Sequence, residues 1–175
     1  MFRSLLVAAA ASIAVLASPI AEAQHTHDMG AEPMPGMSSS DSRQLLHFPP
    51  MMQAHMLRNM RDHVETLDAI LSALDIGDYA KAAKIAKDRL GLDSPAAAAC
   101  KPSPANATPG SMEAMMAVYM PPPMRAFGLS MHTAASDFAD VAARADATHD
   151  APAVLKALSR ITPNCVACHA AYRLR

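Results

Sequence analysis

The side chains with the most specific chemistry are Cys165, Cys168 and His169, which stand together as Cys-Val-Ala-Cys-His. Two thiols at this spacing can reach the two vinyl groups of one porphyrin and form thioethers. The histidine that follows lies against the porphyrin face and offers iron an imidazole nitrogen. The run therefore reads as a c-type haem attachment site. Two other chemistries use paired cysteines. A redox dithiol is expected beside a βαβ pattern, which this chain lacks. Half of a zinc site would need a further thiol or imidazole at short spacing. The remaining cysteine, Cys100, is distant and stands in loop-like sequence, where it reads as an inert loop residue, a free thiol or a link between two chains. One covalent haem, with its iron, is the expected cofactor.

The rest of the chain must position that motif. Its 175 residues suit one domain. Residues 1–23 read as a signal peptide: Arg3 gives a positive start, Leu5 to Leu16 an apolar run, and Ala21-Glu22-Ala23 a small-x-small cleavage site. A membrane anchor fits less well, because the run is short for a span and no charged stop follows it. The expectation is a periplasmic product that starts near Gln24 and keeps no stable membrane span. Residues 24–46 read as a disordered leader rich in His and Met. Its His25, His27, Asp28, Met29, Met34 and Met37 are donors of mixed softness, suited to transient copper binding, although the composition also suits a plain solvated leader. The formal net charge of −1 and the lack of a basic stripe argue against nucleic acid.

From residue 47 the pattern is helical. Met52, Met56, Met60, Leu67, Ile70 and Leu74, with His63, recur at steps of three and four, which predicts a first helix from Pro49-Pro50 to Ile76-Gly77. Asp78 can cap a second, to about Leu90, with Tyr79, Ala82, Ala83, Ala86 and Leu90 inward and Gly91 as its stop. Residues 92–111 read as a long crossover loop. A short turn over Met112–Tyr119 precedes Pro121-Pro122-Pro123. A third long helix then shows Phe127, Met131, Ala134, Phe138, Val141 and Ala145. The fourth starts near Ala151-Pro152, shows Leu155, Leu158 and Ile161, and runs through the motif to Tyr172, with a kink or break at Pro163. No alternating β-branched segment competes. The fold class is all-α, and four amphipathic helices around an inward cofactor describe an antiparallel four-helix bundle over residues 47–175.

The run Cys165 to Arg173, Cys-x-x-Cys-His-x-x-Tyr-Arg at the end of a fourth helix, resembles the class II c-type cytochromes: cytochrome c prime and its low-spin relatives of the cytochrome c-556 kind. The likeness covers residues 49–175 in architecture and the last eleven in motif. It implies Cys165 and Cys168 as thioether donors, His169 as proximal iron ligand, and Arg173 beside the haem. It implies attachment outside the cytoplasm, in agreement with the export segment, and electron transfer to redox partner proteins without enzyme activity. In this family the first helix supplies the residue over the other haem face, apolar in five-coordinate binders of nitric oxide or carbon monoxide and a Met in low-spin electron carriers. Met60 is the first candidate and Met56, one turn earlier, the second. The family also forms homodimers through its first two helices. The Met-rich first helix, the long loop and Pro163 depart from the family pattern.

The other candidates carry plainer alternatives. Methionine is a flexible core filler. His63 could make a bis-His site or be a core histidine bonded to a neighbour. His132 reads as partly exposed on the third long helix, while His47 and His55 have no case beyond composition. Tyr172 falls near the haem edge, where its hydroxyl can bond a propionate or backbone group. Arg173, four residues after His169, falls on the proximal side by helical period; the plain alternative is a surface arginine complementing the helix dipole.

Overall fold

The computed structural model describes residues 41–101 and 110–174. The expected signal peptide and residues 24–40 of the expected leader lie outside the described residues. The described residues are all-α apart from one two-residue ladder. No described helix is long and apolar enough to cross a membrane.

The ladder's first strand, β1, is Gln44–Leu45. Helix α1, Pro50–Asp75, begins on a proline, whose missing N–H would have had no helical partner anyway. It ends in a Schellman motif: Gly77 takes a left-handed φ of 73°, Gly77 N donates to the Leu74 carbonyl at 3.0 Å, and Asp78 N to the Ala73 carbonyl at 2.9 Å. The same Asp78 opens helix α2, Tyr79–Arg89, by accepting Lys81 N–H at 2.9 Å. Beyond α2, Gly91 sits so close to the third long helix that a Cβ there would lie 3.0 Å from Ser136 Oγ. That hydroxyl accepts from Leu92 N at 2.9 Å.

The expected crossover loop contains a short 3-10 helix, Pro95–Cys100, with Ala97 buried. Helix α3, Met112–Tyr119, is capped by Ser111 and stops before Pro121. Helix α4, Pro122–Thr148, packs against α2 and the 3-10 helix. It also carries α5, Ala151–Leu158, and α6, Thr162–Ala171. The break between these last two falls where Pro163 cannot donate to residue 159. Short i+3 bonds span it, from Arg160 N to the Ala157 carbonyl, Ile161 N to Leu158 and Asn164 N to Ile161. Ile161 plugs the break into the core with no exposed surface.

Two expected faces and one helix end are corrected. On α5 the buried stripe is Val154 and Ala157, leading to Ile161, and Leu155 is 56 % exposed. On α4 the buried band also takes in His132, Ala135, Ala139 and Ala142, because α2, α5 and α6 surround this helix. His132, expected at the edge, is 1 % exposed, and burial is met by its Nδ1–H donating to the Leu90 carbonyl at 2.7 Å. At the C-terminal side the helix ends at Ala171, and Tyr172–Arg173 form strand β2, parallel to β1 with Gln44 opposite Tyr172. The packed body thus begins at Asp41, within the segment expected as leader.

The core has two parts. The larger joins Ile70, Tyr79, Leu90, Phe138, Val154 and Ile161 with a floor of alanines that lets α2 and α4 approach closely. The smaller gathers Met52, Met56, Met116 and Met120.

Candidate haem site

Helix α6 is held against α4 yet buries none of its ten residues fully. Cys165 and Cys168 are half-buried, unpaired thiols three residues apart. Burial raises both above the ordinary thiol range, so each carries its proton near neutral pH. Cys165 packs on the edge of the larger core, and its Sγ lies 4.0 Å from the Ile161 carbonyl. His169 is exposed, as is Val166 at 67 %. The side of α6 that carries Val166 and His169 is open to solvent, with the two thiols half-buried beside it.

The residues after the motif are fastened to those before α1. Leu46 N donates to the Arg173 carbonyl at 2.9 Å, Gln53 Nε2 to the Leu174 carbonyl at 3.3 Å, and Arg43 Nη1 to the His169 carbonyl at 3.4 Å. Asp41 receives Arg43 at 2.7 Å and lies 3.5 Å from Arg173 Nε. The Arg43 hydrogen bonds hold the Asp41 carboxyl down at about 2. The pair is solvent-exposed, so it orients the ladder more than it stabilises it. Arg173 Nε is close enough to Asp41 for an ion pair but lacks hydrogen-bond geometry, and this buried atom has no other partner. Because Tyr172 and Arg173 are extended, the helical spacing from His169 to Arg173 expected from sequence does not hold. The strand, not the helix period, sets where both side chains point.

Met56 is buried and Met60 partly so, in the smaller core beside Cys100 and Leu174. Both candidate sixth ligands thus share a cluster with Leu174, five residues beyond His169. Cys100 stands in a 3-10 helix and not in open loop. It closes the 3-10 helix, packs on that same cluster, and has its thiol pushed up to about 11, chiefly by burial and then by the nearby Cys168, while Arg125 pulls the other way. Arg125 Nε is a second buried guanidinium nitrogen with no partner.

His63 is half-buried with Nε2 enclosed and unpartnered, edge-on to His132 at 5.7 Å between ring centres. Burial, then His132, lowers its pKa to about 4, so it is a neutral imidazole. His55 bonds Asn59 at 3.2 Å, and His47 is exposed.

The residues fit a c-type haem on their own chemistry. Two free thiols and an exposed imidazole share α6, and Met56 and Met60 on α1 carry thioethers of the soft type that binds low-spin iron. Two enclosed guanidinium nitrogens, Arg125 Nε and Arg173 Nε, lack an acceptor that propionates would supply. Sequence reasoning read Cys100 only as an inert loop residue, a free thiol or a link between chains, and passed over Arg125 and the methionines between residues 112 and 124. The signal for the last was visible, since Met112, Met115, Met116, Met120 and Met124 crowd one short stretch. No family model, curated protein or solved structure matches the chain.

Proposed function

We propose that residues 41–175 form a monohaem c-type cytochrome domain, with α1, α2, α4 and the α5–α6 pair as an antiparallel four-helix bundle, that carries electrons in the periplasm. The observation that carries this reading is the Cys165-Cys168-His169 set, presented as free thiols and an exposed imidazole on the unburied helix α6. Haem, when bound, supplies the one-electron chemistry, and the chain's part is to hold and tune it. Cys165 and Cys168 are the thioether donors and His169 the proximal ligand. Met60 is the first choice for the sixth position and Met56 the second; Met/His ligation raises the potential into a range suited to an electron carrier. Arg173 and Arg125 offer hydrogen bonds to propionates, and Tyr172 borders the haem edge. No enzyme activity of its own is assigned.

A second reading is a five-coordinate binder of nitric oxide or carbon monoxide. It is favoured by the burial of Met56 among other methionines, which can be packing alone. Absorption spectra of the purified holoprotein decide between them. Sharp ferrous bands indifferent to carbon monoxide, lost on Met60→Ala or Met56→Ala, support the carrier. A broad high-spin spectrum that shifts with carbon monoxide removes it. Lack of any covalent haem after expression with a haem-attachment system removes both.

A homodimer is the further partner. Its support is the exposed Val64 and Leu71, seven residues apart on α1, with Leu155 of α5 lining the same groove as Leu71. Leu71→Glu should shift sedimentation from dimer to monomer, and a monomeric parent protein would end the idea. Metal handling by the His/Met leader stays a separate reading for residues outside those described.

A further inference from the structure

The two parts of the core are built from different atoms. Among the buried residues of the larger one there is a single methionine, Met131. All four buried residues of the smaller one are methionines, and five of the eight side chains packed on them carry sulfur: Met60, Cys100, Met112, Met115 and Met124. Met is a useful gap filler, and one or two would need no other reason. A filler role does not account for sulfur concentrated in one cluster and nearly excluded from the other.

Several of these sulfur side chains are also helical neighbours. Met112, Met115 and Met116 stand at i, i+3 and i+4 on α3, the spacing that makes helical neighbours. Met116 and Met120 are buried, while Met112 and Met115 are only partly so, which gives an ion a route from solvent. Cys100 reaches the cluster from the 3-10 helix, which packs on α3. A Cβ on Gly128 would collide with the Cys100 sulfur, so α4 keeps a glycine where that sulfur is seated.

We propose that Cys100 with Met112, Met115, Met116 and Met120 forms a binding site for a monovalent soft metal ion, copper(I). Thioethers and thiolate select this ion over harder divalent ones. One thiolate balances one positive charge, and the thioethers add donors without adding charge. Among the described residues no three His, Cys, Asp or Glu side chains form a group that could hold a metal ion. On binding, the Cys100 S–H bond gives way to a sulfur–metal bond and the proton passes to solvent, with no change of oxidation state. None of these donors is a proposed iron ligand, and the inference does not rest on the cytochrome reading.

The test uses the full exported chain with whatever haem it carries, titrated without oxygen with copper(I) against a coloured copper(I) chelator. The parent protein should withdraw a single equivalent and gain thermal stability as it does so. Met112→Leu/Met115→Leu/Met116→Leu keeps side-chain volume and Cys100→Ser keeps shape, so the two guard against one variant failing to fold. Loss of even an outer-shell group weakens metal sites about tenfold or more, so each variant should bind at least ~10-fold more weakly. A variant with His25, His27, Met29, Met34 and Met37 replaced should keep the equivalent. The proposal is overturned if the chelator keeps all the copper, if only the leader variant loses it, or if zinc(II) binds as tightly. The haem spectrum recorded alongside reports on the cytochrome reading separately.

Discussion

Gly128 shows how one missing atom can be tested. In mid-helix, Ala exceeds Gly by about 1 kcal/mol in intrinsic preference, while forcing a group into packed space costs roughly 1–3 kcal/mol. The added Cβ would strike the Cys100 sulfur, which is packed against the methionine cluster, so the collision wins. Gly128→Ala should lower stability by about 1 kcal/mol, and in a Cys100→Ala background it should raise it instead. Urea unfolding of the four proteins checks this; a Gly128→Ala variant more stable than its parent would mean the sulfur is not seated there. At this scale the grouping of Cys165, Cys168 and His169 was visible in the sequence, because it lies within five residues. Cys100 was not, because its significance comes from Gly128 and Arg125, neighbours that only the fold supplies.

At the scale of elements, Asp78 closes one helix and opens the next. Its N–H completes the end of α1 and its carboxylate caps α2. Asp78→Ala should cost about 1 kcal/mol and Asp78→Asn much less, since the amide oxygen still accepts from Lys81 N–H. Equal losses for the two, measured by thermal unfolding, would show that the cap contributes nothing. Helix ends were readable because caps, glycines and prolines act locally: Pro50, Gly77, Asp78, Pro121 and Pro163 all fall where the chain starts, turns or breaks. Helix faces were less so. A helix such as α4, surrounded by three others, buries a band wider than one apolar stripe, and its His132 satisfies burial through the Leu90 carbonyl, which no periodicity reports. The β1–β2 ladder was invisible, since two residues carry no period.

For the whole molecule, the buried imidazoles set the response to acid. His63 has a folded pKa of about 4 against an ordinary 6.5. Between these values the unfolded chain holds the proton and the folded one does not, so stability is fully present above pH 6.5. It falls as pH drops towards 4, then levels off. The change amounts to at most roughly 3 kcal/mol at 1.36 kcal/mol per pH unit, and His132, also lowered, adds in the same direction. His63→Gln should flatten the urea midpoint over that window. A slope unchanged by that substitution would place the titration elsewhere.

The ladder between residues 44–45 and 172–173 has a kinetic meaning. The Arg43–His169 bond closes a span of 126 residues, and closing a flexible loop of that length costs about 4 kcal/mol in chain entropy. Two strand residues and exposed charges cannot meet that cost alone. The helices must assemble first and bring the segments together, so this fastening forms last and opens first. Until then, the cysteine motif is tethered on one side only, and the interval before the fastening closes is when α6 is most open to anything that reacts with its thiols.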